Sequence, residues 1–180
     1  MTLAVHDALW EVARTRWNGR ARKTVAVAGE LEDQRSNPND HVAARLAKRA
    51  IRDKGWQGDL IRLESDEQRK RVEDIRRKMS AGQDVGPRKN LGEATCIVLA
   101  SDIGGLVVSE DYDARVAALS HGVDAVSVHT LLHQLQAAGV ITLDQAVDCS
   151  AAIADVDRGP RLSGDELAAG GAVMGRVGLP

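Results

Sequence analysis

Between residues 91 and 138 the sequence alternates helical and strand-like periodicity, with glycines at the changes of direction, and this alternation constrains the fold more than any other feature. The spacing predicts a helix over 91–102, a strand at GLVVS (105–109), a helix over 112–121, a strand at DAVSV (124–128) and a helix over 129–138. Gly104, Gly105 and Gly122 supply the turns. Helix-strand-helix-strand order of this kind predicts parallel strands joined by right-handed crossovers, hence an α/β sandwich. Ligands of such sheets collect beyond the carboxyl ends of the strands, which is where Glu110 and Asp111 follow GLVVS.

Upstream, Leu3, Leu9, Val12 and Ala13 recur at helical spacing within 3–16, and WNGRARK breaks the pattern. TVAVAGELEDQ reads as a short apolar turn into a helix. NPNDHVAARLAKRAIRDKG predicts an amphipathic helix capped by Asn39 or Asp40 and ended at Gly55. DLIRLES, from Asp59, is a strand candidate. Ser65 and Gln68 form a capping box ahead of a charged helix whose buried stripe is Val72, Ile75 and Met79. A second box, Thr142 with Gln145, opens a last helix running to about Ala154. Two units are expected: a single domain over 1–160, and a Gly-rich, partly ordered extension over 161–180.

With 180 residues the chain can bury a single core without disulfides. Cys96 and Cys149 lie in apolar stretches without metal or redox spacing, so they read as core residues of a reduced, cytoplasmic protein. The first seventeen residues carry charges and no signal-like apolar run, no later segment approaches a membrane span, and no membrane partner is expected. There is no Phe, one Tyr and three Trp, which excludes an aromatic platform for stacked bases. The net charge of −2 hides an asymmetry: residues 1–90 hold 20 Lys and Arg against 14 Asp and Glu, whereas 91–180 hold 4 against 12. A basic half suits polyanions and an acidic half suits cations, unless the charges simply line solvated helix faces.

Asn90 followed by Glu93 fits a capping pattern, and Asp111 is positioned to cap the helix from Tyr112. Each can therefore be a helix cap, a ligand of a hard divalent cation, the usual reason for carboxylates to converge, or both at once. His129 and His133 share a helix face at i, i+4, but without a third ligand they read as structural. His6, His41 and His121 stand alone, and nucleophile elbows, Walker loops and dinucleotide fingerprints are absent.

NLGEATCIVLA together with GGLVVSEDYDARVAALSHGVDAVSVHTLLHQLQAAGVITLDQA resembles the C-terminal half of PIN-domain proteins, over roughly residues 88–148. Members often read Gly-Glu-Ala, an apolar strand, Asp-Asp-x-x-Ala-Arg and a late helix ending Gly-Leu-Ile. GRARKTVAVAGELEDQ is similar to the family segment that carries a second acidic residue, here Glu30 in preference to Glu32. The resemblance implies a three-layer α/β/α sandwich with a central, mainly parallel sheet. It also implies a metal-dependent endoribonuclease, a hydrolase that includes the toxins of toxin-antitoxin pairs. Glu30, Glu93 and Asp111 would be the catalytic and metal-binding residues, with Glu110 beside them, holding Mg²⁺ or Mn²⁺. Such a cation lowers the pKa of a bound water for in-line attack on a phosphodiester and stabilises the charge of the transition state. Arg20, Arg22, Lys23 and Arg88 would position RNA without reading bases. Arg115 matches the family pattern either as an ion-pair partner or as a substrate contact. An antitoxin or other protein partner and a homodimer are further implications.

In one respect the sequence departs from the family. PIN domains begin with a short strand ending in a metal-binding Asp, followed by a helix, whereas here the first predicted element is already helical and Asp7 is the one early candidate for that Asp. A catalytically impaired binding or assembly module is accordingly the alternative reading.

Overall fold

The computed structural model describes residues 6–17, 20–52, 59–81, 86, 89–156 and 160–169. Helix α1 spans Asp7–Arg16, α2 Val25–Arg35, α3 His41–Arg52, α4 Asp66–Met79 and α5 Leu91–Ile103. Strand β1 (Val107–Val108), helix α6 (Tyr112–Ser120) and strand β2 (Ala125–Val126) follow, and then α7 (Val128–Ala137), α8 (Leu143–Asp155) and α9 (Gly164–Ala169).

Most helix starts follow local chemistry. Thr24, Ser65, Asp111, Ser127 and Thr142 each accept a hydrogen bond from a backbone N–H of the first turn, and both expected capping boxes are closed. Asp40 does the same for α3, accepting from the N–H of Ala43 at 2.8 Å. Gly55, the expected end of that helix, lies outside the described residues. Asn90 departs from expectation. It adopts the left-handed conformation (φ 57°) with no side-chain cap bond, and its amide instead donates to Ser80 Oγ at 3.3 Å.

The expected three-layer sandwich with a central sheet is not what forms. The molecule is mostly helical, and the sheet among the described residues has two strands, paired in parallel as Val107↔Ala125 and Val108↔Val126. The parallel sense of the alternating region is therefore observed, while its extent is not. DLIRLES contributes one isolated parallel bridge, Thr24↔Ile61, in place of a strand. Leu60 is half exposed and Arg62 and Glu64 are exposed, so this segment has no apolar face broad enough to anchor a layer.

Helix-on-helix packing takes the place of the sheet. One apolar cluster joins Val72 and Ile75 of α4 to Ala94, Ile97 and Val98 of α5, Ala118 of α6 and Val107 and Ala125 of the strands. A second gathers Leu9, Leu131, Leu132, Cys149 and Ile153 from α1, α7 and α8. Leu162 and Leu167, from the expected extension, are fully buried in this second cluster. The third sets Trp10 and Ala13 of α1 against Leu31 of α2 and Leu46, Ala47 and Ala50 of α3. Alanine at so many contact positions lets helix backbones approach closely, which suits stacked helices better than an open sheet. No helix among the described residues is long and apolar enough to cross a membrane.

Candidate acidic site

The site forms where α2 meets the first turn of α5. Thr24 Oγ1 caps α2 by accepting from the N–H of Val27 at 3.1 Å, and Glu30 follows on that helix as a partly buried residue. The start of α5 is placed by Arg76 of α4, which is 5% exposed. Arg76 donates to the carbonyls of Lys89 at 2.9 Å and Gly86 at 2.8 Å, and pairs with Glu73 at 2.7 Å. The guanidinium thus ties α4 to the segment leading into α5, and its charge is met by a carboxylate.

Gly92 then brings the two helices into contact. Its missing side chain leaves room for the Glu30 carboxylate, whose Oε1 and Oε2 lie 2.6 and 2.8 Å from where a Cβ would stand. Glu30 accepts a hydrogen bond from the backbone N–H of Gly92, in the first turn of α5 where free donors and the helix dipole favour an anion. Burial nevertheless raises the Glu30 pKa; the neighbouring Glu93 charge adds to that rise, the Gly92 bond opposes it, and Asp33 contributes a further push upward. One turn along, Cys96 Sγ is 4.0 Å from Thr24 Oγ1, and burial pushes its thiol up to about 11. The Cys96 thiol is therefore held protonated beside Thr24, and the Glu93 and Glu30 charges add to that effect.

Other expected site residues lie elsewhere. Asp111 is exposed and caps α6, accepting from the N–H of Ala114 at 3.1 Å. Glu110 turns to the start of α7, where its Oε1 accepts from the N–H of Val128 at 2.5 Å and its Oε2 is 3.8 Å from His129 Nδ1. No group of three or more His, Cys, Asp or Glu side chains among the described residues is arranged to hold a metal ion. Asp7 is ion-paired with Arg49 at 2.6 Å, and Glu32 with Arg35 at 2.8 Å. Arg20 and Arg22 are exposed and Lys23 partly buried, just before the α2 cap; Arg88 lies outside the described residues. Arg115 is buried, donating to the carbonyl of Ser109 at 2.9 Å and lying over the Tyr112 ring. The histidine pair makes no shared site: His129 is fully buried, and His133 Nδ1 lies 2.6 Å from the carbonyl oxygen of Leu167.

Of the three residues expected to converge, the fold brings together Glu30 and Glu93. Two carboxylates suit a hard cation that keeps much of its water, as Mg²⁺ does, better than an all-protein cage. The sequence marks Gly92 only as part of the Gly-Glu-Ala start of α5 and gives Arg76 no site role. Glycine at the second position of an apolar helix was a legible sign of close approach, but the clamp by Arg76 depends on a tertiary contact. Compared with family models, with curated proteins and with solved structures, the chain matches none of them.

Proposed function

We propose that Glu30 and Glu93 together hold a hard divalent cation, Mg²⁺ or Mn²⁺, and that the chain is a metal-dependent endoribonuclease. The observation that carries this reading is the Glu30 carboxylate seated against Gly92 beside Glu93, two like charges brought together with burial opposing ionisation of the first. Clustered carboxylates of this kind are stabilised by a cation. When bound, such a cation activates water and offsets charge developing on a phosphodiester. The chain's own part is to orient Glu30 through the Gly92 N–H and to present Arg20 and Arg22 to the strand. Cys96, kept protonated by burial, takes no nucleophilic part.

A second reading, a binding or assembly module without catalysis, is favoured by one observation: Asp111 and Glu110 serve as helix-end acceptors and complete no metal-holding group of three among the described residues. The two readings separate when a mixed single-stranded RNA pool is incubated with the purified chain in Mn²⁺, Mg²⁺ or EDTA. Cleavage in either metal, abolished by EDTA and by Glu30→Gln, is the expected result. No cleavage in any condition selects the module. Cleavage that survives Glu30→Gln refutes the acidic pair as its seat.

A further inference from the structure

Helices α1 and α3 leave between them an open groove of about 1170 Å³, walled in part by Trp10, Arg14, Arg35, Arg45, Lys48 and Arg52. On α3 the cations recur at 45, 48, 49 and 52, the i, i+3, i+4, i+7 spacing that aligns side chains along one helix face. At about 1.5 Å per residue the stripe runs about 10 Å.

Several of these charges are already met. Arg49 pairs with Asp7 and lies over the Trp10 ring at 5.3 Å. Glu11 stands 3.7 Å from Arg14, and Glu32 2.8 Å from Arg35. Arg45, Lys48 and Arg52 are exposed, and no ion pair or hydrogen bond from their side chains is found among the described residues. Like charges at helical spacing destabilise a helix unless an anion offsets them.

We propose that this groove is a docking surface for the phosphodiester backbone of an RNA strand, seated along Arg45, Lys48 and Arg52. The identity of the strand rests on the ribonuclease reading above; the anionic chemistry of the occupant does not. Trp10 is 5% exposed beneath Arg49, so the groove offers no aromatic face to a base and its hold is independent of sequence. Docking of an acidic protein segment would call for apolar anchors in pockets. Of the groove's apolar wall residues, Trp10 and Ala44 are buried and Ile51 is partly buried against the α1–α2–α3 cluster, whereas six cations line the same wall, which favours a polyphosphate chain. Helix α2 joins the two sites, with Glu30 against α5 and Arg35 on the groove, five residues and about 7.5 Å apart along the axis.

The test is binding of a short fluorescein-labelled oligouridine by the full chain in EDTA, followed by anisotropy over a range of salt concentrations. The triple variant Arg45→Gln, Lys48→Gln, Arg52→Gln is expected to weaken binding by about tenfold or more, and to reduce the log-log salt slope by about 2, as three lost phosphate contacts at roughly 0.7 each require. Lys48→Gln alone should reduce it by about 0.7, which keeps the test decisive if the triple variant misfolds. An unaltered affinity and slope in the triple variant, no binding by the wild type, or displacement by polyglutamate as effective as by unlabelled RNA would each overturn the docking surface. If the triple variant loses binding but the wild type cleaves nothing in Mn²⁺, the docking surface stands and the ribonuclease reading fails. If the triple variant cleaves with an unchanged KM, the ribonuclease reading stands and the docking surface fails.

Discussion

Gly92→Ala tests how the acidic pair is built. The new Cβ would stand 2.6 Å from Glu30 Oε1, whereas ordinary contact begins at 3.4 Å, so the carboxylate must retreat by at least 0.8 Å. It is the far end of a flexible side chain and can do so, but it then loses the Gly92 N–H. A hydrogen bond to a charged acceptor contributes about 1.5–3 kcal/mol, and because Glu30 is only partly buried and regains water, the lower end applies. Alanine offsets up to about 1 kcal/mol of this through its better helix propensity. Retreat from Glu93 offsets a little more. The expected net loss is about 0–1.5 kcal/mol at neutral pH, read by urea unfolding in EDTA. In a Glu30→Ala background the same substitution meets no carboxylate and should be neutral, or stabilising by up to about 1 kcal/mol. The double-mutant cycle should therefore return a coupling of about 1.5 kcal/mol. An equal loss in both backgrounds would refute the seating of Glu30 against Gly92, and with it the acidic pair.

Three further outcomes are expected. Because the Glu30 pKa is raised in the folded state, the native protein holds that proton more tightly than the unfolded chain; metal-free stability should fall as pH rises above the ordinary value of 4.5 through the raised one, and Glu30→Gln should flatten this part of a stability-versus-pH curve, so an unchanged slope would contradict the assignment. Leu132, fully buried among α1, α7 and α8, should cost about 2–5 kcal/mol as Leu132→Ala in a denaturant titration; a loss below about 1 kcal/mol would mean that this cluster is not a packed core. Burial pushes Cys96 and Cys149 up to about 11, so a thiol reagent near neutral pH should react slowly with the native chain and fully only after unfolding, and prompt labelling of the fully buried Cys149 would disprove its burial.

Much of the candidate site was visible in local pattern. Glu93 and the Gly-Glu-Ala start of α5 were identifiable from residues alone, and so was the capping role open to Asp111, whereas Glu30 was singled out only through the resemblance to PIN domains. Their grouping was not. Whether Asp111 joins the pair depends on how α5 and α6 pack, and a backbone N–H within reach is as good a partner for a carboxylate as a cation. Asn90 illustrates the same limit from the other side: its spacing to Glu93 suits a cap, yet its left-handed backbone turns the amide to Ser80 instead.

The sequence by itself determined where most of the helices begin. Side-chain caps, capping boxes and apolar stripes act within a few residues: the boxes at Ser65 and Thr142 formed as their spacing predicts, and of the expected stripe Val72 and Ile75 are buried and Met79 partly so. It also determined the parallel sense of the two strands, because a helix lies between them. Only the tertiary structure decided how far the sheet extends, since a strand is completed by a neighbour distant in sequence and DLIRLES found such a partner at Ile61 alone. The same holds for the two charged features. The meeting of Glu30 with Glu93 and the groove over Arg45, Lys48 and Arg52 arise from the seating of α2 between α5 and α3, a matter of long-range packing that no local spacing specifies.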